Sequence, residues 1–303
     1  MTTSISKFKG CLLGSALGDV IGELAFRYNS REKLYSKLEE TDQLKYTDDT
    51  AMAIGLAESL IENDGEIDQK HIGDTFRKNY EKEPWREYGQ GPPKIFRMVE
   101  NSEKGYFEAA QTLFGGEGSK GNGSAMRIAP VGILFSNDDS QYEKAVKTVE
   151  VIHTHPLGKD GAALLSITIG KAAVSEEISP QEFAEYIAHK ARTEEFSYSL
   201  ERVKKNLEIN EEREEVAKEL GTSVLIDQSV PYAIFSFLKE PSSYKDALMN
   251  AILVPGDKDT IGAMTGAISG AYLGIESLND EWVRKLENES YLKQLAENLY
   301  DLY

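Results

Sequence analysis

The chain of 303 residues is 40% hydrophobic and 28% charged, which is the composition of an ordinary soluble globular protein. It has no apolar run near the roughly 20 residues that a membrane-spanning helix needs, so we expect no membrane association. The formal net charge of −17 argues against generic nucleic-acid binding, which depends on Lys and Arg. The single cysteine, Cys11, excludes an internal disulfide framework and fits a reducing compartment, so a cytoplasmic location is expected.

Helical spacing begins at the N-terminus. Lys7 and Lys9 precede a short apolar stretch, as in a signal peptide, but Asp19 follows early and the pattern continues as an amphipathic helix. We therefore interpret this segment as part of the mature protein. Apolar residues then recur every four positions from Met52 to Leu60 and predict a second helix.

The middle and the end of the chain continue this pattern. Residues 182–191 and 281–303 have helical spacing, and residues 210–220 have the charge of a solvated helix face. Residues 115–124 (GGEGSKGNGS) are the one glycine-dense stretch and are predicted to form a loop. Because few period-two strands and no hairpin turns interrupt the helical pattern, we predict one all-α domain over residues 1–303.

Residues 261–275 carry a glycine at every fourth position, from Gly262 to Gly274, with alanines beside them. Small residues at this spacing form a helix face that a neighbouring backbone can approach closely. In a membrane such a face favours dimerisation, but this segment is short and its flanks are charged. We predict a central, tightly packed helix.

Two pairs of aspartates stand beside threonines, each at the start of a predicted helix. Thr47 precedes Asp48 and Asp49, and Thr260 follows Asp257 and Asp259. Helix capping would explain one oxygen-bearing side chain in each cluster, but it leaves the second carboxylate unexplained. Brought together, the four charges would balance two divalent cations, and all-oxygen ligands favour Mg²⁺ first, with Mn²⁺ or Ca²⁺ as alternatives.

The glycine-dense loop predicts an anion-binding site. Its glycines alternate with Ser119, Lys120 and Asn122, and several backbone N–H groups of such a loop can turn toward a phosphate. The loop lacks the Lys-Ser/Thr ending of a P-loop, so the pattern alone is a weak signal. His155 and His153 follow, and spacing alone does not separate a functional role from a structural one for either.

Taken in order, these segments resemble the ADP-ribosylglycohydrolase family, which is related to the dinitrogenase reductase-activating glycohydrolases. The matching pieces span nearly the whole chain: GCLLGSALGDVIG (10–22), YTDDTAMA (46–53), GNGSAMR (121–127), THPLGKDGA (154–162) and GDKDTIGAMTGAISGAYLG (256–274). The loop GEGSKGNGSAMR (116–127) and the segment LGTSVLIDQSVPYAIFSFL (220–238) look most like the branch that cleaves serine-linked ADP-ribose and poly(ADP-ribose).

The resemblance implies a compact, orthogonal, all-α helical domain with a two-metal cleft, and it assigns residues to that cleft. The implied metal ligands are Thr47, Asp48, Asp49, Asp257, Asp259 (bridging) and Thr260. The implied ADP-ribose-binding residues are Phe114, Glu117, Gly118, Ser119, Lys120, Gly121, Asn122, Gly123, His155 and Val224. Among these, Phe114 is expected to pack against the adenine.

The resemblance also implies catalysis by carboxylates, and here the sequence departs from the family. The glutamate that usually follows the first motif is replaced by Phe26, and the nearest acid is Glu23. We therefore assign Glu23 as the candidate catalytic acid, with Asp48 and Asp49 stabilising positive charge on the sugar. In a second departure, Lys120 stands where the serine-specific branch tends to carry an aromatic residue.

These observations favour a Mg²⁺-dependent hydrolase that releases ADP-ribose from an ADP-ribosylated substrate. One alternative is a non-catalytic ADP-ribose binder that has lost its acid. Another is a hydrolase of a different ADP-ribose compound, such as an O-acyl ester. The intact aspartate clusters argue against a purely structural role. The pattern leaves the leaving group open, and it demands no oligomer, so a monomer is expected.

Overall fold

The computed structural model describes residues 3–303, and this part of the chain is all-α, as the sequence predicts. Its only β-type pairings are two isolated bridges, Leu44 with Leu286 and Gly121 with Leu225. The α-helices of these residues are α1 (Ile5–Ala25), α2 (Arg31–Glu40), α3 (Asp48–Glu62), α4 (Gln69–Lys82), α5 (Gly91–Glu100), α6 (Tyr106–Gln111), α7 (Ala129–Leu134), α8 (Gln141–Val149), α9 (Pro156–Val174), α10 (Pro180–Ala188), α11 (Glu194–Glu208), α12 (Arg213–Leu220), α13 (Ile226–Lys239), α14 (Tyr244–Ile252), α15 (Lys258–Leu273), α16 (Asp280–Lys285) and α17 (Glu289–Asp301). Short 3-10 helices lie at Leu113–Gly116, Asn122–Ser124 and Ile275–Ser277.

The centre of the fold is the antiparallel pair α1 and α15, which meet along glycines. A Cβ added to Gly18 would lie 2.0 Å from the carbonyl oxygen of Gly262, and one added to Gly266 would lie 2.1 Å from that of Gly14. The two backbones are therefore in direct contact, which confirms the prediction of a central, tightly packed helix. The same contact brings the N-terminus of α15 against Gly22, near the end of α1.

A buried carboxylate on α1 holds the N-terminus of α3. Asp19 is fully buried and accepts hydrogen bonds from the backbone N–H and the hydroxyl of both Thr47 and Thr50, the shortest at 2.6 Å from Thr50 Oγ1. Unpaired N–H groups at a helix start need such acceptors. Through these hydrogen bonds and the glycine contact, α1 positions the beginnings of both α3 and α15.

The C-terminal segment 281–303 forms two helices, α16 and α17, where the sequence pattern suggests one. Leu44 pairs with the chain at the break: its N–H donates to the Lys285 carbonyl, and its carbonyl accepts from Glu287 N–H, each at 2.8 Å. Asn288 then has a left-handed backbone, with φ 56°. This long-range pairing replaces the helical hydrogen bonds, so the interruption does not show in local spacing.

The buried apolar residues of the described chain form one connected cluster, to which α9 contributes almost its whole length. Cys11 is part of this cluster, as its apolar neighbours predict. None of the described helices is long and apolar enough to cross a membrane.

Candidate active site

The N-termini of α3 and α15 open into a cavity of about 940 Å³ that is also bounded by the glycine-dense loop and by the residues around the start of α5. Many of the residues predicted from the sequence line this cavity: Asp48, Asp49, Phe114, Ser119, Gly121, Asn122, Gly123, Val224, Asp257, Asp259 and Thr260. The others lie outside the lining: Glu23, Thr47, Glu117, Gly118, Lys120 and His155. Segments far apart in sequence thus converge on one site.

The carboxylates of this cavity are desolvated and repel one another. Burial raises the pKa of Asp49 well above its usual value, and the charge of Asp259 raises it further. Burial and the neighbouring Asp19 raise the pKa of Asp48 to about 7. Burial and Asp257 raise the pKa of Asp259 to about 8. At neutral pH the cluster therefore favours either protons or a bound cation.

Two oxygens of the cluster carry unused acceptor capacity. Asp49 Oδ2 and Asp259 Oδ1 are buried and have no hydrogen-bond partner, and Thr260 Oγ1 lies 3.4 Å from Asp49 Oδ1. This donor set suits a hard divalent cation. Within residues 3–303, however, no three Asp, Glu, His or Cys side chains are grouped so that they could hold a metal ion. A closed ion site would require these side chains to rearrange, so the two-ion centre stays a prediction.

Thr47 has a capping role that its place in the TDDT motif also allows. Its Oγ1 donates to Asp19 Oδ1 at 2.9 Å and accepts from the N–H of Asp49 at 3.3 Å. Asn122 approaches the second cluster directly, since its Nδ2 donates to Asp257 Oδ2 at 2.6 Å. The glycine-dense loop is therefore joined to the acidic cluster.

The loop is held in place by two segments that follow it. Gly118, at φ 78°, packs so closely that a Cβ there would lie 2.7 Å from the backbone nitrogen of His155. Asn122 N–H donates to the Val224 carbonyl at 2.9 Å, and Ile226 N–H donates to the Lys120 carbonyl at 3.0 Å. These contacts fix the loop's backbone against the segments that carry His155 and Val224.

His155 itself caps α9, because its Nδ1 accepts from Leu157 N–H at 3.1 Å. Burial and the nearby Lys120 lower its pKa, so the imidazole is neutral at neutral pH. Lys120 pairs with Glu117 at 3.8 Å on the outer side of the loop. None of these three side chains lines the cavity.

The rim of the cavity is apolar at two points. Phe114 is 67% exposed and Val224 is 59% exposed. Exposed apolar side chains beside a polar cavity are suited to pack against a flat, partly apolar ligand ring. Phe114 also has a left-handed backbone, φ 53°, directly before Gly115 at φ 73°.

Sequence reasoning assigned no role to two buried polar residues near the cavity, Asp19 and Arg127, and it left the role of a third, His153, open. Asp19 positions α3, as described above. Arg127 is 1% exposed, lies in the cavity wall, and has no hydrogen-bond partner for Nε or Nη2. Burial lowers the pKa of Arg127 to about 9, while Asp48 acts in the opposite direction. His153, which also lines the cavity, is buried with Nδ1 unpartnered, and burial lowers its pKa well below the usual value. The sequence does carry a signal for Asp19 and Arg127. Each is a charged residue inside a run of small or apolar residues, LGDV and AMRI, which indicates a buried charge.

The geometry agrees with comparisons to known proteins. A family model described as "ADP-ribosylglycohydrolase" matches residues 1–303. The protein called ADP-ribosylhydrolase ARH3 from Homo sapiens is 32% identical, over 99% of this chain and 94% of that protein. The protein of the same name from Danio rerio is 34% identical, over 99% of this chain and 91% of that protein. The ADP-ribosylarginine hydrolase Tri1 of Pseudomonas putida (strain GB-1) is 22% identical, over 98% and 79%.

Among solved structures, a chain of an "ADP-ribosylglycohydrolase-related protein complex" superposes with a TM-score of 0.72. The match covers 98% of both chains at 19% sequence identity, so it supports the fold alone. The family match and the relatives above 30% identity carry the assignment further. The chain therefore belongs to the ADP-ribosylglycohydrolase family and is a hydrolase of the glycosidic-bond type.

Proposed function

We propose that this protein is a Mg²⁺-dependent hydrolase that releases ADP-ribose from an ADP-ribosylated protein side chain or from poly(ADP-ribose). The observation that carries the proposal is the convergence of two aspartate pairs and a glycine-dense loop on one cavity. Its volume of about 940 Å³ suits a nucleotide-sized ligand. The relatives named for ADP-ribosyl hydrolysis support the same substrate class.

Each part of the cavity has a role in this function. The backbone N–H groups of Ser119 and Gly123, both in the cavity lining, are assigned to the diphosphate, since those of Gly118, Gly121 and Asn122 already donate to other groups of the chain. Phe114 and Val224 at the rim pack against the adenine. The aspartates of the same cavity are assigned to the distal ribose. Binding energy from the remote nucleotide thus positions the reacting carbon.

The reaction replaces the C1″ bond to the leaving group with a bond to a water oxygen. As the old bond breaks, positive charge develops on C1″ and the ring oxygen. Asp48, Asp49 and Asp259 are the side chains that would hold Mg²⁺, which when bound would orient the ribose hydroxyls and acidify a water. The carboxylates also stabilise the developing positive charge, an effect that is large in a desolvated site.

The test is release of free ADP-ribose from serine-linked, arginine-linked, polymeric and O-acetyl substrates, each with Mg²⁺ and with EDTA. We expect Mg²⁺-dependent release from at least one glycosidic substrate. Asp259→Asn should abolish it, whereas Asp280→Asn, also in the first turn of a helix but exposed and remote from the cavity, should retain it. Release from the O-acetyl ester alone would contradict the proposal and favour an esterase.

One observation favours the alternative of a non-catalytic ADP-ribose binder. Phe26 replaces the glutamate that the family usually carries, and it lies 48% exposed at the end of α1. Glu23, the nearest acid in sequence, does not line the cavity. A wild-type protein that binds ADP-ribose in calorimetry but releases none from any substrate would establish the binder.

A further inference from the structure

The segment between α4 and α5 brings an acid into the cavity that the sequence pattern did not single out. Glu87 lines the same cavity as Asp48 and Asp259, although it lies far from both aspartate motifs in the chain. Among the described residues, neither a hydrogen bond nor an ion pair engages its carboxylate, and the residue is exposed. It is therefore an acid free to act on a molecule in the cavity.

The residue before Glu87 anchors the segment. Arg86 is buried, and its Nη1 donates to the Tyr46 carbonyl at 2.9 Å and to Glu287 at 2.6 Å. Its Nε donates to Glu83 at 3.0 Å, and its guanidinium lies 4.1 Å from the centre of the Tyr46 ring. Because Tyr46 directly precedes the TDDT motif, this anchor fixes Glu87 relative to the acidic cluster.

The residue after Glu87 anchors the segment as well. The ring of Tyr88 packs edge-to-face against the ring of Tyr80, with 5.0 Å between the centroids. Arg86 and Tyr88 thus hold the chain on both sides of Glu87, and its carboxylate is presented on a fixed backbone. Such support is what a proton-transferring side chain requires.

Glu87 also acts electrostatically on the acid that local sequence pointed to. Burial raises the pKa of Glu23, and the charge of Glu87 raises it further. Of the two, only Glu87 lines the cavity. The fold thus supplies a glutamate from a different segment close to the region where the family glutamate is replaced by Phe26.

The backbone at Glu87 has a conformation that glycine adopts freely, that Asn and Asp tolerate, and that is unfavourable for glutamate. Its φ is 63°, in the left-handed region, where a Cβ is strained. Glycine would relieve that strain, yet this position carries a glutamate while Gly89 and Gly91 follow close by. A non-glycine residue kept in this conformation at a cavity wall is consistent with a functional side chain.

We propose that Glu87 is the catalytic residue that transfers the proton during hydrolysis, an inference that rests on the function proposed above. The Glu87 carboxylate takes a proton from the attacking water as the water oxygen bonds to C1″. The electrons of the breaking bond go from C1″ to the leaving atom, an oxygen in a serine or polymer linkage and a nitrogen in an arginine linkage. The leaving atom then receives the proton from Glu87. Glu87 is again a carboxylate, and the net reaction consumes one water.

The strained backbone gives a test that separates chemistry from folding. Glu87→Gly should raise the Tm, because it relieves the left-handed strain, and lower kcat by about 100-fold or more, the usual share of general acid–base catalysis. Its Kd for ADP-ribose in calorimetry should stay near the wild-type value. Formate, a small carboxylate, should restore part of the rate in Glu87→Gly and none in Asp259→Asn.

Asp64→Gly is the matched control. Asp64 is also exposed with a left-handed backbone, φ 51°, but it lies outside the cavity. We expect an unchanged kcat and a smaller rise in Tm than in Glu87→Gly, because aspartate tolerates the left-handed region better than glutamate does. Glu87→Asp should retain more activity than Glu87→Gln, since it keeps the carboxylate.

The outcomes separate the two proposals. Suppose that wild type releases ADP-ribose and that Glu87→Gly releases it at a rate within about 3-fold of wild type. Glu87 is then not the acid, because removal of a proton-transferring residue usually lowers the rate far more than that. A large loss in Glu23→Gln with normal turnover in Glu87→Gly would likewise overturn the inference and assign the role to Glu23. If wild type itself releases nothing, the proposed function fails, and this inference fails with it.

Discussion

Asp19 and Asp160 are two buried aspartates with nearly the same contacts but different places in the molecule. Each carboxylate accepts hydrogen bonds from side-chain hydroxyls and from backbone N–H groups. The donors to Asp19 belong to Thr47 and Thr50. The donors to Asp160 are the Tyr142 hydroxyl, the Arg192 N–H, and the N–H and hydroxyl of Thr193. Asp19 holds the start of α3 at the cavity, whereas Asp160 holds the start of α11. Comparing the same substitution at Asp19 and at Asp160 therefore separates an effect on the position of the cavity residues from an effect on stability alone.

Asp19→Asn should lower both stability and turnover. The amide cannot accept all the hydrogen bonds that the carboxylate accepts, and hydrogen bonds to a charged group contribute about 1.5–3 kcal/mol each, so we expect a loss of about 2 kcal/mol in the free energy of unfolding. Asp160→Asn should lose a similar amount in urea unfolding and retain kcat. Equal kcat values in the two variants would show that Asp19 does not position the site.

Phe114 allows a prediction about affinity alone. Because it is 67% exposed, Phe114→Ala should leave the Tm unchanged. Stacking of a base on an aromatic ring is worth about 1–3 kcal/mol, so the Kd for ADP-ribose should rise by about 10-fold or more. Tyr198→Ala, at an equally exposed aromatic remote from the cavity, should leave that Kd unaltered. An unaltered Kd in Phe114→Ala would place the adenine elsewhere.

At the scale of elements, the glycine contact between α1 and α15 decides where the two helix starts meet. Gly18→Ala would place a methyl carbon 2.0 Å from the Gly262 carbonyl oxygen, so the backbones must separate. Overpacking of this kind costs about 1–3 kcal/mol, and we expect the upper end of that range in urea unfolding because no flexible side chain can yield. Gly91→Ala, whose Cβ would meet nothing closer than 3.8 Å, should have little effect. Equal stability of the two variants would contradict the contact.

Elements with a strong local signal were predictable from the sequence, and those formed by distant contacts were not. TDDT and DKDT mark the starts of α3 and α15 because Asp and Thr cap helices, and the glycines of α15 predict its close packing. The break between α16 and α17 depends on Leu44, which no local pattern around Leu286 reveals. Glu87 enters the cavity only because Arg86 is anchored through Tyr46 and Glu287, a contact that spacing does not encode.

At the scale of the whole molecule, the buried aspartates make stability depend on pH. Burial raises the pKa of Asp19 to about 6, and burial together with repulsion by neighbouring aspartates raises the pKa of Asp48 to about 7 and of Asp259 to about 8. In the unfolded chain these groups titrate near about 4. Between about pH 4 and about pH 8 the folded state therefore holds more protons than the unfolded state. The free energy of unfolding of the metal-free protein decreases as the pH rises through this range.

We therefore expect the Tm in EDTA to fall from pH 5 to pH 8, and Mg²⁺ to raise the Tm more at pH 8 than at pH 5, because the cation competes with protons for the same oxygens. At Mg²⁺ about 100-fold above its Kd, the stabilisation would be about 2.7 kcal/mol. Asp49→Asn removes one of the repelling charges and should flatten the pH dependence in EDTA. The negative charge that destabilises the metal-free cluster is the same charge that binds the ion. A Tm that rises with pH in EDTA, or an equal effect of Mg²⁺ on the Tm at both pH values, would therefore contradict a cation bound by these carboxylates.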